Sequence, residues 1–138
     1  MISAGEIYLK NFNLIVAIVL STQCAGQGIN LEKLVLPEGF SISLYAEVEN
    51  PRQLALGSDN TVFVGSLRGE VWALKGNESG DLAAEVLTIA EGLNTPAGVA
   101  YHNGDLYIGE INRISKISDV DSKLNATQLT ETVTDSLP

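Results

Sequence analysis

Thr61-Val62-Phe63-Val64-Gly65-Ser66 and Asp105-Leu106-Tyr107-Ile108-Gly109-Glu110 are two versions of one stretch. Each is apolar on both faces, with Val62 and Val64 set against Phe63, and Leu106 and Ile108 set against Tyr107. A strand needs that pattern when its sheet is sandwiched between two neighbours. The flanks repeat as well. Upstream, Pro51-Arg52-Gln53-Leu54-Ala55-Leu56 and a polar turn over 57–60 correspond to Pro96-Ala97-Gly98-Val99-Ala100-Tyr101 and the turn over 102–104. Downstream, Val71-Trp72-Ala73-Leu74 corresponds to Ile114-Ser115-Lys116-Ile117. Each unit is introduced by a segment ending in proline, at 51, 96 and 138, spacings of 45 and 42.

Units of about 40 to 50 residues made of short strands are the signature of β-propeller blades. The pattern predicts an all-β chain of two four-stranded antiparallel blades. Strand A lies over 53–56 or 98–101, strand B over 61–66 or 105–110, strand C over 70–74 or 113–118, and strand D over 84–90 or 126–133. Residues 40–46 are predicted as a leading strand before the first blade. A propeller closes with about four to eight blades, and two blades leave sheet faces and edges unpartnered. Residues 31–138 therefore read as the N-terminal, incomplete part of a larger propeller domain. A two-blade protein that closes by oligomerising is the alternative.

Composition narrows the function. Eight Lys plus Arg against seventeen Asp plus Glu leave a net charge of −9, and without a basic footprint nucleic-acid binding is excluded as an expectation. The single cysteine, Cys24, rules out a disulfide within the chain or a metal site of several cysteines.

Residues 1–26 read as a secretory signal segment, expected to be helical. Lys10 precedes the apolar run Leu14-Ile15-Val16-Ala17-Ile18-Val19-Leu20, and small and polar residues follow. The run is short of the roughly 20 apolar residues that span a bilayer. Cleavage is expected between Cys24 and Gln27, and an exported, periplasmic protein follows. Cys24 allows an alternative in which the chain is lipid-anchored, although Gln23 departs from the small residue that normally precedes a lipidated cysteine.

Residues 31–66, LEKLVLPEGFSISLYAEVENPRQLALGSDNTVFVGS, with GEVWALK and GLNTPAGVAYHNGDLYIGEINRI, resemble the start of the soluble glucose and sorbosone dehydrogenase family. The resemblance covers 31–138 and implies a six-bladed propeller that binds pyrroloquinoline quinone and calcium. It further implies oxidation of a sugar or related alcohol or aldehyde in the periplasm, with an electron acceptor such as a cytochrome as partner. The family's catalytic histidine, which would take the substrate hydroxyl proton, falls after the point where this chain stops, and His102 does not match it. No catalytic or metal residue is assigned within the chain.

Strand order locates the candidate cofactor residues. In an up-and-down blade the D-to-A and B-to-C connections share one end, and all three arginines, Arg52, Arg68 and Arg113, fall there. Guanidinium groups fork onto carboxylates and stay charged when partly desolvated, and the quinone implied by the resemblance carries three carboxylates. Arg113, Arg52, Arg68 and the adjacent Asn112 are thus the expected cofactor-binding residues. Ion pairs with Glu47, Glu70 or Glu110 are the competing explanation of the arginines. His102 precedes Asn103-Gly104, a hairpin turn that requires positive φ at both positions, and reads as a solvated turn residue. Trp72 reads as core. Asp119 and Asp121 lack the glycine and downstream glutamate of a calcium loop. Two further functional classes stand beside the dehydrogenase: a calcium-dependent lactonase-type hydrolase, and a non-catalytic propeller that binds a peptide or glycan. Fold alone does not choose among them.

Overall fold

A computed structural model describes residues 31–137. The predicted signal segment and Cys24 lie outside the described residues. Residues 1–35 and 36–138 form separate units. Of the first, only 31–35 are described, and they contain the 3-10 turn Leu31–Lys33.

The second unit is all-β. Strands β1 (Pro51–Leu56), β2 (Thr61–Ser66), β3 (Val71–Gly76) and β4 (Ala83–Ala90) form one four-stranded sheet. Strands β5 (Gly98–His102), β6 (Asp105–Gly109), β7 (Ile114–Ile117) and β8 (Glu131–Thr134) form another. Neighbours in each sheet are consecutive in the chain and antiparallel. Local chemistry makes the short turns: Asn103 and Gly104 both take positive φ, 51° and 86°, the geometry a two-residue hairpin needs to match strand twist. In the first sheet Asp59 and Asn60 also take positive φ, 48° and 56°, and Thr61 N donates to the Ser58 carbonyl over 2.9 Å.

Register sorts the side chains into faces. Phe63 pairs with Ala73 and Val64 with Trp72, so Phe63, Val71 and Ala73 share one face while Val62, Val64, Trp72 and Leu74 share the other. The first face packs on Val99, Leu106, Ile108 and Ile117 of the second sheet, with Val120 and Leu124 completing one core. Phe63 stacks on Tyr101 there, ring centres 5.8 Å apart. Each such side chain, fully buried, contributes about 1.5–3 kcal/mol. The opposite face of the first sheet is covered in part by Tyr45, Ala46 and Val48, which leaves Trp72 buried as a core residue.

The two sheets are stacked in the same sense. By register, Leu54, Val62, Val64 and Leu74 are the counterparts of Val99, Leu106, Ile108 and Ile117. The second set faces the first sheet, whereas the first set lies on that sheet's far side.

Two expectations are corrected. Residues 40–46 form no strand. Tyr45 and Ala46 meet the sheet by laying side chains on its face, and the Tyr45 carbonyl accepts one bond from Ala83 N at 3.0 Å. The last strand begins at Glu131, not at 126. The chain before it makes a 3-10 turn over Val120–Ser122 and fills the space between the sheets, with Gln128 N donating to the Ile89 carbonyl over 2.7 Å.

Candidate functional site

Three connections meet at the end where the sequence places the arginines: 67–70 after β2, 91–97 between the sheets, and 110–113 after β6. The middle one is held from both sides. Ser66 N donates to the Pro96 carbonyl over 2.9 Å and Leu93 N to the Gly69 carbonyl over 3.1 Å. From the other side, Ile111 N reaches the Asn94 carbonyl over 3.2 Å, and Asn94 N reaches Glu110 Oε2 over 2.7 Å. Gly65 is required by this crossing, because a Cβ there would stand 2.5 Å from the Pro96 carbonyl oxygen.

Glu110 is the anchor of the end. Its side chain has no solvent exposure and accepts from Arg113 Nε at 2.6 Å, Arg113 Nη2 at 3.0 Å, Ser115 Oγ at 2.9 Å and Asn94 N at 2.7 Å. A buried carboxylate persists when it is paired and its lone pairs are satisfied. Burial pushes the Glu110 carboxyl up, but the bonds from Arg113, Asn94 and Ser115 outweigh it and hold the group below its ordinary range. The bond to Glu110 in turn raises the Arg113 guanidinium. At the equivalent place in the first sheet, Ser66 donates to the Glu70 carbonyl over 2.7 Å and accepts from Arg68 N over 3.1 Å. A hydroxyl closes one turn and a carboxylate the other. Glu70 Oε2 is buried without a partner among the described residues.

The four predicted cofactor residues have different surroundings. Arg113 makes the forked pair with Glu110, one of the ion pairs weighed from the sequence. Asn112 is exposed, its Oδ1 3.5 Å from Asn94 Nδ2. Arg68 is exposed at the tip of its turn. These three flank the 93–96 stretch. Arg52 instead lines a groove with Tyr45, Leu54 and Val64 on the far face of the first sheet. The sequence reading missed Asn94 and Ser115; neither carries a signal until Glu110 is known to lie between them.

At the opposite end, Tyr101 Oη donates to Asp121 Oδ2 over 2.6 Å, and that bond is the main cause of the raised tyrosine pKa. Asp121 lines a polar cavity of about 240 Å³ with Ser58, Asp59, Thr61 and Lys75. His102 is exposed in its hairpin, 3.0 Å from Asn103 Nδ2. Among the described residues no three His, Cys, Asp or Glu side chains converge on a metal position.

No family model matches the chain, and no solved structure matches it. The chain is similar to an uncharacterized protein of Borreliella burgdorferi, 28% identical over 94 residues that cover 67% of this chain and 23% of the relative. The chain thus spans under a quarter of that relative's length.

Proposed function

We propose that residues 36–138 are two successive blades of a β-propeller in an exported quinoprotein dehydrogenase that oxidises a sugar or related alcohol or aldehyde. One observation carries the reading: two like sheets stacked in the same sense, with Arg68, Asn112 and Arg113 on the connections of one end. Repetition of that stacking makes a propeller, and the resemblance of 31–138 to glucose and sorbosone dehydrogenases supplies the chemistry.

The donors at this end fit a carboxylate-rich cofactor in kind. Pyrroloquinoline quinone, when bound with calcium, supplies the carbonyl that accepts a hydride. Arg68 and Asn112 are free to donate to its carboxylates. Arg113 has five N–H donors, two of which are engaged by Glu110, so it both shapes the turn and offers its outer edge. Arg52 faces the groove and drops out of the set. The work assigned to this end is binding and orientation; His102 sits at the other end and takes no part in it.

Titrating the chain with pyrroloquinoline quinone and calcium, followed by quenching of Trp72 fluorescence and by calorimetry, tests the reading. Saturable binding is expected, weakened at least tenfold by Arg68→Ala and unaffected by Arg52→Ala. No binding by the wild type, or equal affinities throughout, overturns it.

A further inference from the structure

At the end opposite the arginines a cavity of about 240 Å³ opens between the two sheets, with Ser58, Asp59 and Lys75 on the wall of the first and Asp121, Leu124 and Asn125 on the wall of the second. Both walls are fixed. The 57–61 turn is closed by Thr61 N on the Ser58 carbonyl at 2.9 Å and by Gly57 N on the Thr61 carbonyl at 2.8 Å. Across the cavity, Val120 N donates to the Gly104 carbonyl over 2.8 Å, and Asp119 N to Asp105 Oδ1 over 3.0 Å. Val120 and Leu124 are buried in the core on either side, so Asp121 stands on a short turn pinned at both ends. Tyr101, itself stacked on Phe63, orients the carboxylate through the 2.6 Å bond to Oδ2. Polar groups held in this way need little ordering before a ligand enters.

One acceptor is left over. Asp121 Oδ1 is buried without a partner among the described residues, and a carboxylate oxygen in that condition costs stability until a donor reaches it. The surrounding charges decide what kind of donor fits. Asp59 and Asp121 repel an anion. Lys75 borders the same space and, although its ammonium bonds Glu85 Oε2 at 3.3 Å, it disfavours a metal ion or an organic ammonium. Among the described residues no third carboxylate, histidine or cysteine joins the two aspartates, whereas a hard cation such as calcium takes about six to eight oxygen ligands. A neutral group that both donates and accepts suits every wall. A hydroxyl gives its proton to a carboxylate and accepts one from the Asn125 amide or from Lys75, which keeps two of its three N–H donors. The volume lies below the roughly 300–1,000 Å³ of drug-sized sites, which limits the ligand to a small one.

We propose that this cavity binds a neutral polyhydroxyl compound of monosaccharide size, its vicinal hydroxyls shared between Asp121 and Asp59 as acceptors and Lys75 and Asn125 as donors. One hydroxyl reaches Asp121 Oδ1 as the carboxylate pivots on its Tyr101 bond. The site lies at the other end of both sheets from the 67–70 and 110–113 connections, and it does not rest on the quinone reading.

Two-dimensional amide NMR on the full chain, without quinone, tests it with glucose, galactose, xylose and myo-inositol as probes. At least one is expected to give saturable millimolar binding, with shifts concentrated at residues 58–61, Lys75 and 121–125. Lys75→Met and Asn125→Ala, both at the rim, are each expected to weaken that binding about fivefold or more while leaving the rest of the spectrum in place. Arg68→Ala is expected to leave it unchanged, which separates this site from the one at the arginine end. The sign of the Lys75→Met effect is diagnostic, because a cation site would tighten when the ammonium is removed. No saturable shift with any of the four probes, unchanged affinity in both rim variants, tighter binding by Lys75→Met, or the same shifts from calcium chloride each overturns the proposal.

Discussion

Gly65 and Gly109 occupy the same position in β2 and β6, yet the carbonyl of Pro96 crowds the first at 2.5 Å from a would-be Cβ while the second has open space beyond its own sheet. The residues that follow them differ in a parallel way: Ser66 closes its turn with a hydroxyl, and Glu110 closes its turn with a buried carboxylate held by four donors. The two sheets share one plan of strands, but a neighbour lies against one face in the first sheet and against the other in the second. What a given side chain contributes is set by that neighbour, not by the strand it sits on.

Replacing aromatic residues at equivalent positions should give the largest contrast. Phe63 is fully buried between the sheets, so Phe63→Ala is expected to cost about 3–5 kcal/mol in urea unfolding. Its counterpart Tyr107 is half-buried, and Tyr107→Ala is expected to cost well under half as much. Similar losses would mean that the Tyr107 face of the second sheet is covered as closely as the Phe63 face of the first.

The turn anchors come next. Glu110→Ala strands Arg113, Ser115 Oγ and Asn94 N together. Breaking a buried pair costs about 3–5 kcal/mol, and because the Arg113 side chain is 36% exposed the expected loss lies at or below the lower end. Ser66→Ala removes one donor and one acceptor and should cost about 1–2 kcal/mol. Thermal melts of both variants order the two turns.

The glycines themselves should separate by less. Gly65→Ala forces the 93–96 crossing to move, at about 1–3 kcal/mol, while Gly109→Ala should stay within about 0.5 kcal/mol of the wild type.

The smallest effect is on acid response. Glu110 titrates below the ordinary glutamate value of 4.5 when folded. Its contribution is therefore complete above that value and is lost as the pH falls through the lower, folded one. Ser66 has no such dependence. Amide exchange at Ile111, whose N–H is bonded to the Asn94 carbonyl, should accelerate on acidification more than exchange at Leu67, bonded to the Asn50 carbonyl. Glu110→Gln should abolish the difference.

Much of this was legible in the residues. The two-sided apolar run Val62-Phe63-Val64 gave β2 with its observed bounds of 61–66, and Asn103-Gly104 gave its hairpin with both φ values positive. Periodicity and turn chemistry act over a few residues, so the strand content and the repeat were fixed locally. The tertiary structure decided the rest. Residues 40–46, apolar enough to read as a strand, form none, and Tyr45 and Ala46 at their end lie on Trp72 and Leu74 instead. Residues 126–130 gave up their strand because the chain before them turns in to bury Val120 and Leu124 between the sheets and Gln128 N bonds to the Ile89 carbonyl. Arg113, visible as a cation three residues from Glu110, became half of a buried fork only when Asn94, sixteen residues away in sequence, supplied a backbone donor to the same carboxylate. Such contacts depend on which face of one sheet meets which face of the next, and a repeat that writes similar strands twice leaves that choice to packing.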